Sequence, residues 1–246
     1  MTGTIATSTG VKKTPKPVGA PKSHAAEPGF EWNTAHTAAS VLNELDAARS
    51  RILQPLQHAN ERCIEMLVQA SRGDRKGTFP LVAQLREVLS QLTPEIRARA
   101  ARKAYLLVDF QFGNDAWWQA LKVSPTRPAP LTPARGSFPR ASAVQLGRAT
   151  LMLAWHSVRA DVNASCLLGI SPGVAATLAT FSLTELDRIV ERRFRHVRPR
   201  WEDRPMVWRQ LLLTATNTDT RQTRDLNLRA LQLITGDLIA ARLDAH

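Results

Sequence analysis

The chain is poor in tyrosine, cysteine and acid, and each shortage excludes something. A single Tyr and few β-branched stretches leave little material for an extensive sheet. Two cysteines, Cys63 and Cys166, are too few for a disulfide framework or a thiolate zinc site. Both have apolar neighbours and read as buried free thiols of a reducing cytosol. No apolar run approaches the roughly 20 residues that span a bilayer, so no membrane partner is expected. The opening MTGTIATSTGVKKTPKP lacks the apolar stretch of a secretory signal, and a cytoplasmic location is expected. Catalytic patterns are missing too. The six histidines are scattered, and HExxH, GxGxxG, Walker A and GxSxG are absent. The loop Ser71-Arg72-Gly73-Asp74-Arg75-Lys76-Gly77 lacks the spacing and preceding strand of a phosphate loop. Neither catalysis nor a cofactor nor a metal is expected.

Acid is the most telling deficit. Against 33 Lys+Arg stand 21 Asp+Glu, a net charge of +12, and a basic surface attracts polyanions, nucleic acid first among them. A hydrophobic content of 43% over 246 residues supports a real core. Abundant Ala, Leu, Arg and Gln favour helix.

Four segments follow. Residues 1–30, with four lysines and one acid (Glu27), bury too little to order themselves and read as a basic tail. Residues 31–121 read as an N-terminal helical module. Val41, Leu45, Ala48, Ile52, Leu56, Ala59, Cys63, Met66 and Ala70 recur at helical steps, and Pro55 is expected to kink or divide that helix. A second helix is predicted over Pro80–Leu92. Thr93-Pro94-Glu95 opens a third with a cap, a first-turn proline and an acid, expected to run through Ala104 and Leu107. The run Tyr105–Phe112 has the character of a strand but no predicted partner. Asp115 is expected to cap a helix in which one of Trp117 and Trp118 is core and the other on a contact surface. Residues 122–140 hold five prolines, four basic residues and no acid, the composition of an extended linker. Residues 141–246 read as a second helical module.

In that module Val144, Gly147, Leu151, Ala154, Trp155 and Val158 line one helix face. Ser171-Pro172 starts a short helix, and Ser182-Leu183-Thr184-Glu185 is a capping box. Together Ser171–Phe194 form a helix-turn-helix-like hairpin, with Ile170, Leu178, Leu183, Leu186 and Ile189 as its core or oligomer contact. An ordinary helical hairpin fits the spacing equally well.

The stretch Thr150–Val190, TLMLAWHSVRADVNASCLLGISPGVAATLATFSLTELDRIV, resembles FlhD, a subunit of the bacterial flagellar master activator. The resemblance is carried by Leu168-Gly169-Ile170, then Ala176-Thr177-Leu178-Ala179, then Leu183 and its helix. Arg193–Arg198 falls where that family has a His-Phe-Arg strip, and Leu231–Gly236 is similar to its terminal helix. About residues 148–240 are covered. The first 147 residues have no counterpart there, which looks more like the relatives that activate transfer genes on integrative and conjugative elements. The resemblance implies an all-α, non-enzymatic transcriptional activator subunit. It would act as a homodimer within a hetero-oligomer, binding promoter DNA together with an FlhC-like, zinc-containing partner and recruiting RNA polymerase. This chain has no four-cysteine cluster, which suits the FlhD-like half. Where that family has a cysteine able to link subunits, Arg195 stands, so the resemblance carries no covalent link to this position. A stand-alone helix-turn-helix DNA-binding protein of a mobile element and an anti-activator interaction protein remain alternatives.

Seven arginines, Arg192, Arg193, Arg195, Arg198, Arg200, Arg204 and Arg209, lie between Glu191 and Arg209 against three acids. Trp201 and Trp208 are interleaved. Arginine's planar fork suits phosphate, and Arg and Trp dominate interfaces, so the strip is expected to meet DNA or a partner, with the two tryptophans at an interface. Arginines stacked on tryptophan and paired with those acids are the competing reading.

Overall fold

A computed structural model describes residues 34–73, 79–123, 135–160, 164–217 and 219–243, with side chains from Ile52 onward. The expected tail of residues 1–30 lies outside the described residues. The chain divides into two compact units, Met1–Leu42 and Asn43–His246. Of the first, only the opening of a helix is described.

The architecture is all-α, as expected. Its helices are α1 (Thr34–Arg72), α2 (Pro80–Ser90), α3 (Pro94–Ala101), α4 (Asp115–Val123), α5 (Arg140–Ala160), α6 (Ala164–Leu168), α7 (Pro172–Thr180), α8 (Leu183–Arg193), α9 (Pro205–Thr216) and α10 (Thr220–Leu243). A 3-10 turn covers Phe194–His196. Two strand fragments, β1 (Val108–Asp109) and β2 (Arg198–Pro199), pair antiparallel, with Val108 opposite Pro199 and Asp109 opposite Arg198. The strand-like run thus has a partner after all, about ninety residues on, invisible to local pattern.

The unit Asn43–His246 corrects the expected division into two modules joined by residues 122–140. Helices α2 and α3 pack on α9, and α4 packs on α7. The apolar faces of the first half have no core of their own, so both halves close one core. Arg135–Val123 connectivity through residues 124–134 lies outside the described residues.

Local chemistry explains four of the helix starts. Thr93 Oγ1 accepts from Ile96 N at 3.3 Å, Ser171 Oγ accepts from Val174 N at 3.1 Å, and Ser182 with Glu185 forms the full capping box. Asn114, not Asp115, caps α4: its Oδ1 accepts from Trp117 N at 3.0 Å. Helix α1 is continuous past Pro55. Helix α3 stops at Ala101, short of the expected Leu107, because the following backbone is held open by buried Asn60 of α1. Asn60 donates to Tyr105 O (2.9 Å) and Ala101 O (3.3 Å) and accepts from Leu107 N (2.7 Å).

The core holds both Trp117 and Trp118, correcting the expectation that one faces outward. Phe110 packs against both rings, His196 against Trp117 and Phe181 against Trp118. Cys63 is buried, but Cys166 is exposed, contrary to expectation. Among the described residues no helix is long and apolar enough to cross a membrane.

Candidate nucleic-acid interface

The hairpin α7–α8 is built onto α5, which is buried along much of its length. Gly147 of α5 sits where an added Cβ would come within 2.9 Å of Val190 and Val197, so its lack of a side chain sets how closely α8 approaches. The turn between the two helices is pinned. Trp155 Nε1 donates to Phe181 O at 2.8 Å, and Arg159 donates to Ala179 O at 3.2 Å while lying over the Trp155 ring. Arg159 also brings positive charge to the carbonyl end of α7, where the helix dipole favours it.

Helix α8 then shows three faces. Leu186, Ile189, Val190 and Arg193 are buried, and Leu178 of α7 and Ile170 are fully interior with them. Leu183, expected as a core or oligomer contact, is 44% exposed and stands outside this chain's core, because the first helical position falls on the solvent side of the capping box. The second face carries acid. Arg148 of α5 binds Asp187 at 2.5 Å and Glu191 at 2.7 Å, and Arg140 stands 3.7 Å from Glu191. The third face is the line Thr184, Arg188 and Arg192, four residues apart and all exposed. Neither arginine is in an ion pair among the described residues. Exposed Lys122, in the last turn of α4, shares a groove of about 300 Å³ with both.

The arginine strip separates into two populations. Arg200 is buried: its backbone N donates to Leu107 O (2.8 Å), its Nη2 to Leu168 O (2.6 Å), and its carbonyl accepts from Trp208 Nε1 (2.6 Å). Its guanidinium occupies the space where a Cβ on Gly169 would stand, and Gly169 has a left-handed φ of 64°. Burial lowers the Arg200 pKa, while Asp109 and Asp237 act in the opposite sense. Arg193 is buried as well. Arg198 pairs with Glu202 at 2.5 Å, and Arg204 with Asp237 at 3.0 Å. Buried Arg193 and Arg200 belong to the fold, a correction to their assignment as contact residues, whereas Arg198 and Arg204 are held in ion pairs with part of their side chains exposed. Trp201 and Trp208 are likewise corrected, being interior to this chain. Trp201 donates to Asp237 Oδ2 at 2.9 Å, and Trp208 has no exposed surface. Only Arg192, Arg195 and Arg209 of the strip are exposed without an ion pair among the described residues. Arg195 and Arg140 both stack on Phe194.

Arg198, Arg200 and Arg204 border a second groove of about 540 Å³ over β1–β2, with Asp109, Asp115 and Asp237 in its wall. The two left-handed non-glycine residues among the described residues, Gln111 (φ 57°) and Trp201 (φ 55°), line it. Such strain costs on the order of 1–3 kcal/mol per residue. It is held in place locally: Asp109 accepts from Gln111 N (3.1 Å) and Phe112 N (3.2 Å), and Trp118 Nε1 donates to Gln111 O (3.0 Å). Arg198 and Arg204 here pair with Glu202 and Asp237, and Arg200 donates to the Leu168 carbonyl. Two residues of the outer face escaped sequence reasoning, Arg188 and Lys122. The four-residue step from Thr184 through Arg188 to Arg192 carried the signal for the first, whereas Lys122 was assigned to a linker.

No family model, curated protein or solved structure matches this chain.

Proposed function

We propose that this chain is a non-enzymatic, cytoplasmic transcription-regulating subunit that binds promoter DNA through α8, in company with an FlhC-like, zinc-containing partner that helps recruit RNA polymerase. The observation that carries this reading is the division of charge on α8. Two of its three acids, Asp187 and Glu191, are neutralised by Arg148 and Arg140 of α5, and the third, Glu185, is engaged in the capping box, which leaves Thr184, Arg188 and Arg192 as a cationic outer line on the second helix of a helix-turn-helix-like hairpin. The second helix of such a unit is the one that enters the major groove, and arginine forks reach both phosphates and guanine edges. The net charge of +12 draws the duplex in from a distance.

The test is anisotropy of a fluorescent duplex with wild type and with the Arg188→Ala, Arg192→Ala double variant across a salt series. Two lost phosphate contacts lower the slope of log K against log salt by about two units. An unchanged slope and affinity would remove α8 from the interface. Binding that becomes sequence-selective only after a co-expressed partner is added fits the subunit reading. Tight selective binding by this chain alone makes it a stand-alone DNA-binding protein.

A further inference from the structure

We propose that the groove between the end of α4 and α8 binds a small amphipathic anion, an apolar body carrying one carboxylate, phosphate or sulfonate head. Buried Phe181 and Ile189 supply its apolar lining, and exposed Lys122, Arg188 and Arg192 supply positive charge at its rim. The rim's one acid, Glu185, already accepts from Ser182 N at 2.8 Å and Ser182 Oγ at 2.7 Å. It is therefore committed to capping α8, and the three cations outnumber it.

Size and chemistry separate this groove from the others. About 300 Å³ is at the small end of ligand-sized clefts, which are typically apolar with a few convergent polar groups. The larger groove over β1–β2 is more polar, and its arginines are bonded to Glu202, Asp237 and the Leu168 carbonyl. Here the cations converge with no ion-pair partner among the described residues. A phosphate backbone alone has no use for a buried aromatic side chain beside its charge, whereas an amphipathic anion matches the apolar lining and the charged rim together. The complementarity is of two kinds at once, dispersion along the lining and charge-assisted hydrogen bonds at the rim.

Arg188 and Arg192 cannot serve a ligand head and a DNA phosphate together, so ligand and duplex exclude one another at α8. This last step rests on the proposed function; the site itself does not. A ligand-responsive regulator needs such an overlap, and here it lies within one helix face.

Titration of the full chain with anilinonaphthalene sulfonate, an anionic apolar dye, tests the site. Uncharged phenylnaphthylamine serves as the comparison. The expected result is one dye per chain, with affinity about tenfold weaker in the Arg188→Ala, Arg192→Ala variant. Lys122→Ala, in the last turn of α4, weakens binding too, and Arg209→Ala, outside the groove, does not. The variants keep the wild-type unfolding midpoint, since the replaced side chains are exposed. Equal affinity for the uncharged dye, or unchanged dye affinity in the double variant, overturns the proposal. A duplex added to the dye complex separates the two claims. Arginine-dependent dye binding that no duplex displaces keeps the site and removes DNA from α8. Arginine-dependent duplex binding without dye binding keeps the DNA reading and overturns this site.

Discussion

Asn60 decides how the middle of the chain runs. It is a polar residue on the buried face of α1, between Leu56, Ala59, Cys63 and Ile64. One amide there serves three backbone groups, at Ala101, Tyr105 and Leu107. Replacement by Ala leaves them without partners in a dry core, and Asn60→Ala is expected to cost about 3 kcal/mol or more, read from denaturant unfolding. Gly169 is a second such position. A side chain there meets both the left-handed φ and the Arg200 guanidinium, so Gly169→Ala is expected to cost roughly 2 kcal/mol or more. His196 titrates against the fold. Its ring is buried beside Trp117, and burial first, then Arg198 and Arg193, push its pKa down to about 4. In the unfolded chain the ordinary value near 6.5 applies. Between these values the unfolded state binds the extra proton, so stability is complete above pH about 6.5 and falls as pH drops toward 4. The loss is at most about 3 kcal/mol. Thermal melts of wild type and His196→Phe across that window check it: the variant's midpoint should fall distinctly less over the same range.

At the scale of elements, α8 was legible where chemistry is local. Ser182-Leu183-Thr184-Glu185 is a capping box in sequence and in space, and the steps Leu186, Ile189 and Val190 are its buried stripe. For Leu183 the choice between core and oligomer contact was not legible, because apolar character and helical position do not reveal which side of the first turn faces the core. The two leucines therefore separate in a mutational test. Leu186→Ala creates a cavity and is expected to cost about 2–5 kcal/mol, as is Leu178→Ala. Leu183→Ala, 44% exposed, should stay within about 1 kcal/mol. If Leu183→Ala instead dissociates an oligomer at constant monomer stability, that leucine is an interface residue. The arginine strip was less legible. Composition cannot say that Arg200 turns inward, because its partners are carbonyls of Leu168 and backbone atoms near Leu107, distant in sequence. The same remoteness hid the β1–β2 pairing.

The whole molecule differs from its sequence reading chiefly in having one core where two modules were expected. Proline and basic charge do mark residues 122–140 as a connection, but a connection in sequence says nothing about whether the elements on either side need each other. Here they do. The partners of α2 and α3 are on α9, that of α4 is α7, and Val108–Asp109 completes its ladder on Arg198–Pro199. Arg200 ties the two halves again, through Leu107 on one side and Leu168 on the other. Severing the chain inside 124–134 therefore breaks a covalent link without dividing the core. With a specific protease site placed there and cut, the two pieces are expected to co-elute as one species of intact size. They should unfold together in one transition, with a midpoint that rises with protein concentration, because the cut chain now dissociates as it unfolds. Two independent modules would instead part on the column and melt separately, each at its own concentration-independent midpoint. The same cut chain carries the test into function: α8 is seated on α5, while Lys122 comes from the other piece. Duplex binding should survive in the associated pieces and weaken on dilution below their dissociation constant.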